Sequence, residues 1–101
     1  MAPEHEEALV ARAFVAFGRA AVFGGPYGEI ACRVRRRRGD APAGPFGGVA
    51  APVEQILVRV SEIEDPRGGA FDLDGAIWQV QGDPRREQRH QLVWTCDVVR
   101  T

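Results

Sequence analysis

The sequence contains no lysine and no asparagine, one serine, one tyrosine and two cysteines. Each shortage removes a class of chemistry. Ser61 is the only candidate for a serine nucleophile. It stands in the stretch "SEIEDP" (Ser61 to Pro66), which reads as a turn that Ser61 caps and Glu64 completes as a capping box. No G-x-S-x-G elbow surrounds it. His5 lies near the start and His90 opens a strand pattern, neither in a Cys–His arrangement. Cys32 and Cys96 are far apart with no C-x-x-C or other metal-ligand spacing, so both are expected as buried free thiols. "GGPYGE" (Gly24 to Glu29) lacks the Lys-Ser/Thr of a phosphate-binding loop. "DLDG" (Asp72 to Gly75) begins like a calcium loop but has no later bidentate glutamate. The expectation is a protein with no catalytic residue, no metal and no cofactor: not an enzyme.

Long apolar runs are also missing. None approaches the roughly 18 residues of a membrane span. "MAPEHEEALV" is acidic and lacks the apolar core of a secretion signal, so neither a membrane nor a leader is expected. A basic excess is absent as well: 13 arginines face 14 acidic residues, for a formal net charge of −1. Proteins whose main partner is DNA usually carry clear positive charge, because counterion release from phosphates drives their affinity. Any basic patch here must be local. Since every basic residue is arginine, in a composition rich in Ala, Gly and Pro, the arginines partly reflect GC-rich coding.

What is present is pattern. The length of 101 residues predicts one domain, residues 1–101, with a modest core. Glu4 to about Ala20 reads as a helix, with acidic residues in its first turn and Val10, Phe14, Phe17 and Ala21 at helical spacing. Glu29 to Arg36 alternates, with Ile30, Cys32 and Val34 on one face. Gln55 to Val60 alternates again. Phe71 to Asp74 and Ala76 to Val80 flank Asp74-Gly75, a hairpin signal. "GDPRRE" (Gly82 to Glu87) reads as a polar turn. His90 to Val98 reads as a last strand, with Leu92, Trp94, Cys96 and Val98 sharing a face. The fold expected is mainly β: a small β-barrel or sandwich of about five to six strands, with an N-terminal α-helix packed on it and one long loop.

That loop is "RRGDAPAGPFGGVAAPVE", Arg37 to Glu54, with four glycines and three prolines. Loops of this length inside a small fold are usually functional or disordered. Its root is "RVRRRRGD", Arg33 to Asp40, with five arginines in six positions. On a strand, Arg33, Arg35 and Arg37 share one face, and Arg36 and Arg38 the other. The strand is expected to end around Arg36. One reading is a solvated strand end, kept from edge pairing by its charge. The other is a contact with acidic groups, either a protein partner or nearby DNA. The aromatic interleaving of single-strand binders is missing. The candidate partner-binding residues are Arg35, Arg36, Arg37, Arg38, Asp40 and Phe46.

Ile56 to Arg100, "ILVRVSEIEDPRGGAFDLDGAIWQVQGDPRREQRHQLVWTCDVVR", resembles the small head–tail joining proteins of tailed bacteriophages and prophages. The shared features are a strand ending in Val58-Arg59, the polar turn Ser61-Glu62-Ile63, a strand pair around Asp74-Gly75 with Trp78 in its second strand, and a last strand over Gln91 to Val98. The helix, first strand and long loop of the first half fit in outline. The arginine run is not part of the family pattern. The resemblance implies a β-barrel-like subunit of a homo-oligomeric ring, sitting as a connector or stopper between the portal-side connector and the tail. The implied partners are portal or adaptor proteins and tail terminator or tail tube proteins, with packaged DNA nearby. The implied place is the virion, after assembly from the host cytoplasm. Gene transfer agents use similar connectors. Two alternatives stand beside this: a nucleic-acid-binding module using Arg33 to Arg38, and a tail-terminator subunit.

Overall fold

The computed structural model describes residues 3–26, 28–40, 52–86 and 91–101. Helix α1 spans Pro3–Phe17. Six strands follow: β1 Arg19–Gly25, β2 Gly28–Asp40, β3 Pro52–Arg59, β4 Ala70–Leu73, β5 Ala76–Arg86 and β6 Val93–Arg100. They pair antiparallel in the order β1-β2-β3-β6-β5-β4, and β4 returns to β1 to close the barrel. The expected β-barrel with an N-terminal helix is what the chain forms.

Alternation fills the barrel. Cys32 and Val34 from β2, Ile56 and Val58 from β3, Phe71 and Leu73 from β4, Trp78 and Val80 from β5, and Cys96 and Val98 from β6 form one buried cluster. Phe23 joins it from β1, its ring centroid 5.0 Å from that of Phe71. Trp94 packs against the cluster from the same side of β6. Asp74 and Gly75 turn the β4–β5 hairpin with φ of 53° and 79°. Two successive positive φ values belong to the hairpin turn that Asp-Gly favours.

Several boundaries differ from the sequence reading. The helix ends at Phe17 rather than about Ala20, and residues 19–25 form a strand that helical spacing had concealed. Gly18 makes the break. Its N–H donates to the Phe14 carbonyl at 2.8 Å, and a Cβ there would stand 2.2 Å from that same oxygen. Beyond it, the Ala-rich segment is decided by its neighbours, since Val22 and Phe23 pair with Ala31 and Ile30. As a result, Ala21 belongs to the barrel core and Phe17 is 72% exposed. Of the predicted helix face, the part that α1 keeps buries Phe14 against the barrel's outer wall with Leu57 and Val93, and Val10 packs beside it.

Strand β2 does not end around Arg36. It runs to Asp40, and β3 begins at Pro52 instead of Gln55. The predicted loop of 37–54 therefore shortens to residues 41–51, which lie outside the described residues. "GDPRRE" is no simple turn either: β5 continues to Arg86 through a register shift between Gln81 and Arg85. Gly82, with φ of 62°, and Pro84, which has no N–H to give, both suit such an irregularity. The last strand begins at Val93 and ends at Arg100. Finally, the turn after β3 is held by the N–H groups of Glu62 and Ile63, which donate to the Arg59 carbonyl, while Ser61 is exposed. Ile63, 1% exposed, plugs that end of the barrel, and its carbonyl accepts the Trp94 Nε1–H at 2.9 Å.

Candidate partner interface on the arginine strand

Beyond Val34 the inward and outward positions of β2 both carry arginine, and the strand persists because those arginines find partners on neighbouring strands. On the inward side, Arg36 and Arg38 reach past the end of the apolar core. Both pair with Glu54 of β3, Arg36 Nε at 3.4 Å and Arg38 Nη2 at 3.2 Å. Arg38 stands directly opposite Glu54 in the ladder. The Arg36 guanidinium also lies over the Trp78 ring, 4.9 Å from its centroid. The barrel mouth is thus lidded by two arginines around one carboxylate. Beneath it, Trp78 Nε1–H is buried without a hydrogen-bond partner.

On the outward side, Arg33 closes the helix terminus. Its Nε donates to the Phe14 carbonyl at 3.3 Å and its Nη2 to the Gly18 carbonyl at 2.9 Å. The Phe14 carbonyl thus accepts from both Gly18 N–H and Arg33, and a cation at the helix C-terminus suits the dipole. Arg35 lies 5.5 Å from the centroid of the exposed Phe17 ring. Arg37 Nε donates to Gln55 Oε1 at 2.9 Å, and Gln55 Nε2 donates to Asp97 Oδ1 at 3.0 Å. Arg85 then grips Asp97 with both terminal nitrogens, at 3.1 and 2.9 Å. The chain Arg37–Gln55–Asp97–Arg85 crosses four adjacent strands, β2-β3-β6-β5. Hydrogen bonding from Arg85 holds the Asp97 carboxyl below its ordinary range against the opposing effect of burial, with Gln55 adding to the lowering.

The six sequence candidates are therefore not one cluster. Arg36 and Arg38 share the barrel mouth, whereas Arg35 and Arg37 lie on the outer wall. The backbone of Asp40 pairs with Pro52 at the tip of the β2–β3 ladder. Phe46 lies outside the described residues. Glu54, Gln55 and Asp97, which hold arginines of β2 and β5, and Arg85 itself were not singled out from sequence. Nothing local marks them, because each meets its partner from a different strand.

Among the described residues, no group of three or more His, Cys, Asp or Glu is placed to hold a metal ion. Cys32 and Cys96 are free and buried. Burial, with the nearby Glu62 carboxylate, pushes the Cys32 thiol up to about 11. Burial, with Asp97, pushes Cys96 up to about 12. Both stay protonated at neutral pH, so neither offers a reactive thiolate.

This architecture can be compared with known proteins as a whole. The family model described as Phage Head-Tail Attachment protein matches residues 2–98. The chain belongs to this family. A search of curated proteins finds no significant match. Membership extends the resemblance of Ile56 to Arg100 over nearly the full chain. It assigns the chain a structural role in joining phage head to tail, a location in the virion, and contact with other head and tail proteins. Among the described residues, no helix is long and apolar enough to cross a membrane. For an attachment protein, an exposed and charged barrel end is a place to look for those contacts.

Proposed function

We propose that this attachment protein is a connector or stopper subunit. One domain, residues 1–101, joins a homo-oligomeric ring between the portal or adaptor proteins and the tail terminator or tail tube, and helps retain packaged DNA. It assembles there from the host cytoplasm. The partner contact is made by the segment that joins β2 to β3 and by its root: Arg35, Arg36, Arg37, Arg38, Asp40 and Phe46. The observation that carries this reading is the continuation of β2 and β3 past the apolar core. The paired strands project an arginine-rich hairpin whose side chains at Arg35 to Arg38 are exposed.

Protein is favoured over DNA as the partner of this hairpin. Arg36 and Arg38 share Glu54, and Arg37 is bonded to Gln55. Guanidinium groups already held by neutral and acidic side chains present shaped hydrogen-bonding surface rather than a dense positive stripe. Deletion of residues 41–51 should leave the thermal unfolding curve essentially unchanged and leave heads and tails unjoined in an assembly assay. Normal tailed particles made with the deleted protein would refute the hairpin's role. A steep salt-dependent affinity of the isolated protein for DNA would instead favour the nucleic-acid reading.

A further inference from the structure

The two ends of the barrel differ in charge and in shape. At the end where β1 and β6 begin and finish respectively, the described side chains include Arg19, Arg35, Arg36, Arg38 and Arg100 against Glu54 and Asp74. Phe17 projects there, 72% exposed, beside Arg35 and Arg19. At the opposite end a cleft of about 470 Å³ opens between the β1–β2 turn and the segment after β3. Phe23, Ile30, Ile63 and Pro26 line it, with Glu64 and Asp65 on its rim. Among the described residues, Glu64 and Asp65 make no ion pair; Asp65 accepts only the Arg67 backbone N–H.

The floor of this cleft is fixed. A Cβ at Gly69 would stand 2.3 Å from the Phe23 ring, and one at Gly25 would stand 2.8 Å from it. The ring is thus held between two backbones, while Ile30 above it remains 39% exposed. A rigid apolar cleft with unneutralised carboxylates on its rim fits an apolar side chain carried on a basic surface. The opposite end of the same molecule is such a surface.

We propose that copies of this chain associate head to tail through opposite barrel ends. Phe17 of one copy enters the Phe23–Ile30–Ile63 cleft of the next, and Arg19 and Arg35 meet Glu64 and Asp65. The contact joins two different surfaces, so repeating it builds a ring when the rotation closes. The inference rests on the ring in the functional reading above and supplies its contact surfaces.

The test blocks one end at a time. Phe17→Asp removes the knob, and Ile30→Asp places a charge in the cleft, which an apolar contact rejects. In sedimentation velocity on the full chain, wild-type protein should associate as concentration rises, and less so at high salt. Each variant should lose that self-association by on the order of 10-fold or more. Mixed together, the two variants should form a one-to-one dimer and nothing larger, because one intact contact remains. Circular dichroism establishes that both variants fold, and Glu64→Arg provides a second cleft-side change.

Three results would overturn the proposal: wild-type protein monomeric up to roughly 1 mM, a concentration that would reveal even a weak contact, variants that associate like wild type, or a mixture that stays monomeric. Wild-type association that survives both blocks would sink these surfaces and leave a ring built through others. The deletion of residues 41–51 removes none of the residues named in this contact, so the particle assay judges the functional reading separately.

Discussion

The inner and outer faces of the barrel wall are built from the same strands by different forces. Inside, Phe71, Ile56, Val34, Val58 and Cys96 are fully buried, and the stabilisation is burial of apolar surface without direction. Outside, the sheet is held by the helix on Leu57 and Val93 and by the file Arg37–Gln55–Asp97–Arg85, where geometry decides everything. Strand β2 passes from one regime to the other. Up to Val34 its inward side chains are core. After it, Arg36 and Arg38 occupy the same face with no core left to fill. Hydrogen-bonded ions therefore extend a strand where hydrophobic burial has run out.

The comparison can be broken most severely from the inside. Phe71→Ala should cost about 3–5 kcal/mol in urea unfolding, because a buried ring leaves a cavity that the closed barrel cannot collapse. Asp97→Ala on the outer wall should cost less, about 1–3 kcal/mol, by stranding Gln55 Nε2 and the Arg85 fork. If the two losses were equal, the outer file would have to be counted with the core.

The Asp97 effect carries a sign in pH. Its carboxyl is lowered from 3.8 in the folded state, so its contribution is present above that value and lost as pH falls through the folded value. The gap between wild type and Asp97→Ala should be constant near neutrality and narrow in acid. The smallest effect belongs to an exposed pair. Arg19 Nη1 and Asp74 Oδ2 are 2.6 Å apart, yet the side chains are 68% and 56% exposed. Arg19→Ala should shift stability by no more than about 0.5 kcal/mol. A larger loss would show that the barrel ends are stiffer than their exposure implies.

Much of the inner face was legible in the sequence, because alternation is a local signal. Cys32 and Val34, Ile56 and Val58, and Trp94 to Val98 declared their faces, and Asp74-Gly75 declared its turn. The two faces of the arginine run were legible for the same reason. Strand β1 was not, since Ala20, Ala21 and Val22 fit a helix as easily until Ile30 and Ala31 are there to pair with them. The length of β2 and β3 was hidden too. Glycine and proline near the hairpin tip read as a loop, while the pairs that extend the ladder join residues far apart in sequence. Arg38 and Glu54 flank the whole presumed loop, and Gln55 meets Asp97 only once β3 lies beside β6. The expected family was legible through the order of its elements.

Closure of the barrel by β1 against β4 has a further consequence. An open sheet offers a row of unpaired backbone groups at its edge, and any extended peptide can add itself there with little regard for sequence. Among the described residues, this closed ring leaves such edges only where a strand overhangs its neighbour, chiefly along residues 35–40 of β2 and 81–86 of β5. Over the rest of the wall, partners must recognise side chains, loops and the two ends. Selectivity in joining one particle part to another then rests on a handful of exposed residues, which can change partner by substitution while the wall that carries them stays the same.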